Sequence, residues 1–369
     1  MSGTILLDVT RMAAWRWIGR PPTGLDRVCE AYARHFAPEA LAVLQIAGHA
    51  RVLDRRRSAR LFDAFEAPAG AFRRNCARLL GSPQRNHSVG GDAVYLNVGH
   101  SGFDREAHWH SLAGLAAKRV YLLHDLIPIT HPHLTTAHKT ARHRGRVRKA
   151  LARADGIVAN SQATADGLAG FAQSQGVPPP PILAAPIAAR SLPQVNRTST
   201  GRPYFLCIGT IEPRKNHALL LEIWAQDRPA ADLLICGSRG WNNDAVFAQL
   251  DTGIAGVHEL PGLDDGQVAA LLQGSAGLLF PSLAEGYGLP PMEAAGLGVP
   301  VLASNLSVLR EGLGDIPVYA PVTERYLWTQ LIRTMAEDHR AGRGVAPNAA
   351  AAFAPPSWDA HFKTVLTLI

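Results

Sequence analysis

Short, uninterrupted apolar runs recur along the whole chain, and segments with helical spacing of their apolar residues separate them. Because the runs lack polar alternation, they predict strands that helices cover on both faces, as in parallel α/β sheets. Five runs lie in the first half of the chain and four in the second half. They span residues 4–9, 41–48, 93–99, 119–125 and 156–160, and then 204–210, 232–237, 277–282 and 300–304. This pattern predicts two doubly wound α/β domains.

The boundary between these domains is predicted at the polar stretch 191–203, which has the composition of a linker. Residues 1–190 and 204–354 would then form the two domains, and a final helix started by prolines would occupy 355–369. A chain of 369 residues is long enough for about two domains. Ligands of parallel sheets bind beyond the carboxyl ends of the strands, so we expect a site in a cleft between two facing domains.

Charge is divided unevenly between the two halves. Residues 1–200 carry 26 Lys and Arg against 13 Asp and Glu, whereas residues 201–369 carry 11 against 17. A basic half favours an anionic partner: nucleic acid, a phospholipid surface or a phosphorylated acceptor. Arg142, Arg146 and Lys149 share one predicted helix face, which is either a solvated face or a contact with an anionic membrane or a polyprenyl-diphosphate acceptor. No aromatic platform or nucleic-acid-binding module accompanies the charge, so we do not expect nucleic acid.

Several classes of protein are disfavoured by what the sequence lacks. No run of about 18 apolar residues indicates a transmembrane helix, and the amino terminus enters a strand-like run without a leader segment. The four cysteines have no CxxC spacing, which fits a reducing cytoplasm rather than a disulfide framework or a zinc site. No GxGxxG follows the first predicted strand, so a nicotinamide dehydrogenase is not expected.

The segment CIGTIEPRKNHALLLEIWA, residues 207–225, joins a strand to a helix that begins near Asn216, a residue type that commonly caps helices. Arg214 and Lys215 therefore lie at a helix entrance, where two cations and the free N–H groups form a natural diphosphate site. The alternative is a solvated Arg-Lys turn.

The segment AEGYGLPPMEAAG, residues 284–296, holds two glutamates separated by glycines and a Pro-Pro pair. Prolines are excluded from helix interiors, so Glu285 is predicted on a loop and Glu293 in the first turn of a helix started by Pro291. The two carboxylates are an acid/base pair, two contacts of a sugar site, or in the case of Glu293 a complement to the helix dipole.

Three segments together resemble glycosyltransferase family 4: EPRKN at 212–216, the stretch from LPGL to VLAS at 260–304, and HDLIPI at 124–129. The resemblance covers about 204–312 closely and is looser in the first half, where it includes PPTGLDRV at 21–28. It implies the GT-B fold and a retaining, nucleotide-sugar-dependent enzyme similar to bacterial mannosyltransferases of polysaccharide assembly. It also implies that the final helix returns to the first domain.

The same resemblance implies a role for each motif residue. Glu285 would bind hydroxyls of the donor sugar, and Glu293 would bind the ribose hydroxyls. Arg214 and Lys215 would neutralise the diphosphate in place of a metal, since no Asp-x-Asp occurs in the chain. The base would lie against 259–263. Further donor-binding positions are Gly24, Gly209, Leu260, Gly286, Gly288 and Leu289.

His124 ends a very apolar strand, and the resemblance places it beside the donor sugar; the alternative is a structural histidine. His100 is a similar candidate for the acceptor side. We therefore expect a metal-independent hexosyltransferase without a cofactor, with GDP-mannose favoured as donor.

Its acceptor would be polyprenyl-diphosphate-linked or an oligosaccharide, and its place the cytoplasm, at the inner face of the cytoplasmic membrane. The alternatives are a phosphate-ligand or nucleic-acid-binding protein on a degenerate transferase scaffold, or a glycosidase, which needs two carboxylates but no diphosphate site.

Overall fold

The computed structural model describes residues 3–19, 22–47, 49–80, 92–115, 117–194, 201–343 and 353–369. The chain divides into two compact units. Unit 1 takes in the described residues of Met1–Leu126, His138–Ile187 and Trp358–Ile369, and unit 2 those of Ile127–Ala137 and Ala188–Ser357. Residues 127–137 therefore group with unit 2, although the sequence analysis assigned them to the first domain. Residues 195–200, six of the thirteen residues of the predicted linker, lie outside the described residues.

Unit 1 is built on one sheet that contains seven strands in the part of the chain described. The strands are β1 Ile5–Asp8, β2 Leu41–Ile46, β3 His49–Val52, β4 Val94–Asn97, β5 Lys118–Leu123, β6 Gly156–Ala159 and β7 Ile182–Ala184. Their order is β3-β2-β1-β4-β5-β6-β7, and all neighbours are parallel except β3, which is antiparallel to β2. Successive strands are added on one side of β1 and then on the other, so the topological switch point lies between β1 and β4.

Unit 2 repeats this plan with six parallel strands among its described residues. They are β8 Tyr204–Ile208, β9 Asp232–Cys236, β10 Val257–Glu259, β11 Gly277–Phe280, β12 Val301–Ser304 and β13 Val318–Ala320. The order is β10-β9-β8-β11-β12-β13, which puts the switch point between β8 and β11. Trp224 and Trp328 are fully buried against this sheet, and each indole N–H donates to a backbone carbonyl at 3.0 Å.

Helices connect the strands and cover the sheets. They are α1 Thr10–Ile18, α2 Gly24–Phe36, α3 Arg55–Glu66, α4 Ala69–Leu80, α5 Glu106–Ala113, α6 Ile127–Thr130, α7 Ala137–Arg153, α8 Gln162–Ser174, α9 His217–Gln226, α10 Asp244–Thr252, α11 Asp265–Gly274, α12 Leu289–Gly296, α13 Ser307–Leu313, α14 Arg325–Arg340 and α15 Trp358–Val365. Short 3₁₀ turns occupy Pro132–Leu134 and Pro213–Lys215. None of the described helices is long and apolar enough to span a bilayer.

All nine predicted strands are present, and the four described strands that the sequence analysis missed are the edges of the two sheets, β3, β7, β10 and β13. A central strand is buried on both faces and gives a continuous apolar run. An edge strand is short and partly exposed, as in β3, whose residues alternate between exposed and buried.

The predicted final helix, α15, packs within unit 1. The ring of His361 is buried and bonds through Nε2 to the Tyr32 hydroxyl at 2.7 Å, while Nδ1 lies 3.1 Å from the carbonyl oxygen of Ala185. Burial lowers the pKa of His361 to about 4, so the ring is neutral at pH 7.

Candidate active site

The two most specific sequence motifs meet at the switch point of unit 2. The EPRKN loop follows β8, and the loop of AEGYG follows β11, which is the neighbour of β8 in the sheet. The N–H of Leu283 donates to the carbonyl oxygen of Arg214 at 2.7 Å and joins the two loops. Parallel neighbours end at the same edge of a sheet, so topology brings together two segments about seventy residues apart.

A compact ion cluster forms where these loops meet. Nζ of Lys215 donates to Oε1 of Glu285 at 2.7 Å, and Nη1 of Arg214 lies 2.8 Å from Oε2 of the same carboxylate. Nε of Arg214 also contacts Oε1 of Glu212 at 2.5 Å. The side chains of Lys215 and Glu285 are only 8% and 7% exposed. The ammonium of Lys215 also lies 4.4 Å from the centre of the Phe280 ring, a cation–π distance.

The electrostatics of this cluster decide between the chemical interpretations of Glu285. Burial alone would raise its pKa, but Arg214 and Lys215 hold the pKa of Glu285 at about 2. Burial lowers the pKa of the Lys215 ammonium, and Glu285 opposes that shift. Glu285 is therefore a carboxylate at neutral pH and has no proton to donate, whereas a glycosidase needs a general acid with a raised pKa. This charge state disfavours Glu285 as the general acid of an acid/base pair or of a glycosidase.

Buried polar atoms without partners gather on the same two loops. Both ring nitrogens of His217, the hydroxyl of Tyr287 and Oε2 of Glu212 have no hydrogen-bond partner, and these are four of the twelve such side-chain atoms among the described residues. Each such atom costs about 1–3 kcal/mol of stability unless a ligand or water satisfies it. They are therefore candidate contacts of a polar ligand. Sequence reasoning did not identify His217, although it directly follows the EPRKN motif, or Tyr287, which lies inside AEGYG.

Two of the predicted glycines are required by the protein's own packing. Gly209 has φ +139°, and a Cβ atom on it would lie 3.0 Å from Cε of Lys215. Gly288 has φ +96°, and its Cβ would lie 2.3 Å from Cδ2 of Leu309. Side chains at both positions would be strained or would clash. That these glycines and Gly286 let a ligand approach the backbone stays a prediction.

The helix that carries Glu293 starts earlier than the sequence analysis predicted. Gly288 is the N-cap and α12 begins at Leu289, so Glu293 lies in the second turn rather than the first. Pro290 and Pro291 are tolerated because the first N–H groups of a helix have no acceptor within it. The first turn of α12 carries no acidic residue, which excludes the helix dipole as the reason for Glu293.

Glu293 is held by a residue that sequence reasoning missed. Nε and Nη2 of Arg190 donate to the two carboxylate oxygens of Glu293, each at 2.6 Å, and Nη1 of Arg190 donates to Asp265. The side chain of Glu293 is 2% exposed. Both cations of the EPRKN motif contact Glu285, whereas Arg190 contacts Glu293.

The remaining positions of unit 2 agree in part with expectation. Leu260 follows β10, and its N–H donates to the carbonyl oxygen of Ile235 at 2.9 Å, which places it at the carboxyl edge of the sheet. Helix α9 begins directly after Asn216 as predicted. The side chain of Asn216 makes no capping hydrogen bond, however, and the residue instead supplies a left-handed conformation with φ +52°.

The switch point of unit 1, between β1 and β4, also carries polar groups. Nε of Arg11 donates to Oδ1 of the fully buried Asp26 at 2.7 Å. The N–H and the hydroxyl of Thr23 donate to the other oxygen of Asp26 at 2.9 and 2.7 Å. Gly24 is exposed and is the first residue of α2. Its predicted donor contact stays a prediction.

His100 and His124 lie close together beyond β4 and β5, with ring centres 5.0 Å apart. Nε2 of His124 donates to the carbonyl oxygen of Val98 at 2.8 Å, and Nε2 of His100 donates to that of Leu122 at 3.1 Å. Burial lowers the pKa of His124 to about 4 and the pKa of His100 well below its usual range. Both rings are neutral at pH 7, with Nδ1 as the acceptor nitrogen.

The basic face predicted on α7 is already paired within unit 1. Arg142 and Arg146 contact the carboxylate of Asp104 at 2.9 and 3.4 Å, and Lys149 contacts Glu106 at 2.9 Å. The sequence analysis did not foresee these acidic partners, because they lie more than thirty residues away on the loop and helix after β4. Contact of this face with a membrane or an acceptor stays a prediction.

Comparison with known proteins points to one family. Residues 189–316 match the family model of glycosyl transferases group 1. The chain is 35% identical over 123 residues to O-antigen chain mannosyltransferase B of Escherichia coli, with 32% of each chain covered. It is 25% identical over 139 residues to O-antigen chain mannosyltransferase RfbU of Salmonella typhimurium, with 36% of this chain and 38% of that protein covered. The chain thus spans about a third of the length of these relatives.

The fold has been seen before. The crystal structure of Anabaena HepE in complex with UDP and glucose is similar to 99% of this chain over 97% of its own length, with a TM-score of 0.63 and 17% sequence identity. At that identity the likeness concerns the fold. The family match, in contrast, includes Arg190, the ion cluster and Glu293. Residues 189–316 therefore match the glycosyl transferases group 1 family, and the chain has the GT-B fold.

Proposed function

We propose that the chain is a retaining glycosyltransferase of bacterial surface polysaccharide synthesis. It moves a hexose, with mannose favoured, from a nucleoside-diphosphate sugar to a polyprenyl-diphosphate-linked or oligosaccharide acceptor. The observation that carries the proposal is the cluster of the partly exposed Arg214 with the buried pair of Lys215 and Glu285 at the switch point of unit 2. The O-antigen mannosyltransferase relatives support mannose, and the UDP complex of HepE supports a nucleotide sugar.

The charges of the cluster suit an anionic ligand that arrives and leaves. Without ligand, Glu285 neutralises the two cations. A bound diphosphate shares the two cations with Glu285, and lone pairs of the Glu285 carboxylate that the cations do not use accept hydrogen bonds from hydroxyls of the donor sugar. When the bond from the sugar carbon to the phosphate oxygen breaks, the cations stabilise the developing charge of the leaving group without reorganisation. A phosphate oxygen takes the proton of the acceptor hydroxyl, and the new bond forms on the face that the leaving group vacated.

Fixed cations imply activity without a divalent metal. Arg214 and Lys215 supply the positive charge that an Asp-x-Asp site would supply through a metal, and the chain has no Asp-x-Asp. We expect EDTA to leave the initial rate of sugar transfer essentially unchanged. Complete loss of activity that Mg²⁺ or Mn²⁺ restores would contradict this part of the proposal.

A thermal-shift panel with GDP, UDP, dTDP and ADP tests the donor nucleotide. A ligand at 100 times its dissociation constant stabilises the folded state by about 2.7 kcal/mol, a shift of several degrees. We expect GDP to give the largest shift, Lys215→Ala to lose it, and Arg144→Ala, which removes an exposed cation of α7, to keep it.

A larger shift with another nucleotide would replace GDP-mannose as the donor but leave a glycosyltransferase. Absence of any shift in the wild-type protein would contradict the proposed function. With the preferred donor and a saccharide acceptor, NMR of the product then tests retention of the anomeric configuration.

A further inference from the structure

Arg190 bridges two carboxylates beside the proposed nucleotide site. Three of its N–H groups are engaged: two bind Glu293 side by side at 2.6 Å, and a third binds Asp265. The Arg190 side chain is 25% exposed and Glu293 only 2%. Burial would lower the pKa of Arg190, but Glu293 and Asp265 raise it above its usual value. Arg190 is thus a permanent cation fixed in one orientation.

This bridge is too strong for a neutral ligand to open. Ribose hydroxyls that displaced Arg190 would leave a buried carboxylate without its counter-charge, a change that costs several kcal/mol in proteins. The hydrogen bonds that ribose hydroxyls donate contribute less binding free energy than that. Each carboxylate oxygen has two lone pairs, however, and the fork of Arg190 uses one on each oxygen. Glu293 can accept further hydrogen bonds only while Arg190 stays in place.

Charge gives a second reason for a permanent cation here. A nucleoside diphosphate carries at least two negative charges, and an uncompensated Glu293 in a low-dielectric site would repel it. Arg190 cancels that charge. Asp265, the first residue of α11, follows a capping box formed by Asp264 and Gln267 and is therefore firmly placed. It fixes the outer end of the guanidinium.

We propose that Arg190 is a positioning residue for recognition of the nucleotide ribose: it holds the Glu293 carboxylate in one orientation, so that the lone pairs that Arg190 does not use accept the ribose hydroxyls. The inference rests on the proposed function, since it requires a nucleotide donor. It assigns to the start of the second segment of unit 2, which begins at Ala188, a part in the choice between ribonucleotides and deoxyribonucleotides.

The test compares the affinities of GDP and 2′,3′-dideoxy-GDP, measured by calorimetry, in the full chain. Wild-type protein should bind GDP about tenfold or more tightly than 2′,3′-dideoxy-GDP. A hydrogen bond to a charged group raises affinity by about tenfold to a hundredfold. Arg190→Gln should reduce this preference to less than about threefold, mainly through weaker binding of GDP. Arg190→Lys, which keeps the charge but not the fork, should recover only part of it.

Two controls separate positioning from general destabilisation. Arg325 also bridges two carboxylates of unit 2, Asp227 and Glu222, so Arg325→Gln removes a matched bridge and should keep the wild-type preference. The double variant Arg190→Gln/Glu293→Gln should discriminate no less than Glu293→Gln alone, because Arg190 acts through Glu293. Thermal unfolding establishes that each variant is folded, and Arg190→Lys is the variant to use if Arg190→Gln is not.

The possible failures are distinct. If the wild-type protein binds no nucleoside diphosphate, the proposed function fails and this inference with it. If it binds GDP and 2′,3′-dideoxy-GDP equally, Glu293 does not contact the ribose and the inference alone fails. If Arg190→Gln and Arg190→Lys keep the full preference, Arg190 is only a structural bridge.

Discussion

The two sheets carry different chemistry at the same topological position. At the switch point of unit 2, Lys215 and Glu285 are buried as an ion pair. At the matching edge of unit 1, after β1, β4 and β5, the partly exposed Arg11 pairs with Asp26, but the other buried groups include the neutral rings of His100 and His124 and the carboxyl of Asp8, whose pKa burial raises. Asp8 accepts from the hydroxyl of Tyr95 at 2.6 Å. Topology fixes where polar side chains collect, and the sequence of each loop decides whether they are charged.

The difference has a simple electrostatic origin. In unit 2 each buried charge touches an opposite charge, so both remain ionised despite desolvation. In unit 1 the histidines touch backbone carbonyls and one another rather than carboxylates, so desolvation prevails and the rings stay neutral. A charged cluster suits a phosphate ligand, whereas neutral acceptors suit hydroxyl groups. The comparison therefore predicts that charge removal harms unit 2 more than loss of a ring harms unit 1.

Lys215→Ala should produce the largest effect. If the ammonium stabilises the charge of the leaving diphosphate, its removal should lower kcat by about 10²–10³-fold, the cost of losing one preorganised donor in comparable sites. Steady-state kinetics with the preferred donor measure this. Lys363→Ala, which removes an exposed lysine of α15, is the control. Near-wild-type kcat in Lys215→Ala would mean that the charged cluster of unit 2 does not stabilise the leaving group.

Acid should affect the two units in different pH ranges. Burial lowers the pKa of His108, His124 and His361 in unit 1 to about 4 and that of His100 well below its usual value. Unfolded histidine titrates near 6.5, so the unfolded state binds more protons between pH 6.5 and 4, and stability falls as pH is lowered through this range. Each fully buried histidine lowers the free energy of unfolding by roughly 3 kcal/mol as pH falls through that range.

Unit 2 has one such group among its described histidines, His217, whose pKa burial lowers to about 4. Its Glu285 has a pKa of about 2, below the unfolded value of 4.5, so its stabilisation is complete above pH 4.5 and is lost as pH falls to 2. Hydrogen exchange of the whole chain at pH 7 and pH 5, corrected for the intrinsic rates, should show a larger loss of protection in β4 and β5 than in β8 and β11. An equal loss, or earlier loss in unit 2, would contradict the assignment of charge states.

His124→Ala should have a smaller effect than Lys215→Ala. A neutral ring that accepts one hydrogen bond from a sugar hydroxyl contributes about 1.4 kcal/mol, so we expect about tenfold lower kcat/KM. Because the ring is neutral above about pH 5, kcat/KM of the wild-type protein should show no titration of His124 between pH 6 and 8. Loss of activity as pH rises through 6.5, absent from His124→Ala, would mean that the imidazolium is the active form.

How far the sequence predicts this molecule depends on whether a residue's environment is local. Central strands are buried on both faces, so their sequences are recognisable apolar runs. In contrast, β10 and β13 are three-residue edge strands with partly exposed side chains. Arg214, Lys215 and Glu285 lie in motifs at adjacent strand ends, so their meeting followed from topology.

Arg190 and the acidic partners of α7 could not be predicted in this way. Arg190 meets Glu293 across about a hundred residues, and Asp104 meets Arg142 across about forty, with no motif at Arg190 or at Asp104. The start of α12 was misplaced for a local reason, since the first turn of a helix accepts proline at more than one position.

The smallest expected effect concerns the hydroxyl of Tyr287, which is buried without a partner at the charged switch point. Tyr287→Phe removes a group that has lost its hydrogen bonds to water and gained none within the chain, so the free energy of unfolding should rise by about 1 kcal/mol, the lower end of the cost of an unsatisfied buried group. If the hydroxyl also binds the donor, Tyr287→Phe should weaken GDP binding about threefold to tenfold. Calorimetry and thermal unfolding on the same sample separate these two quantities. Unit 1 offers the matched case, because Oγ1 of Thr140 is likewise buried without a partner, and Thr140→Val should leave GDP affinity unchanged if only the loops of unit 2 bind the nucleotide. Reduced stability of Tyr287→Phe with unaltered GDP affinity would instead place the partner of the hydroxyl inside the protein, and the polar atoms of the charged switch point would then mark packing rather than a ligand.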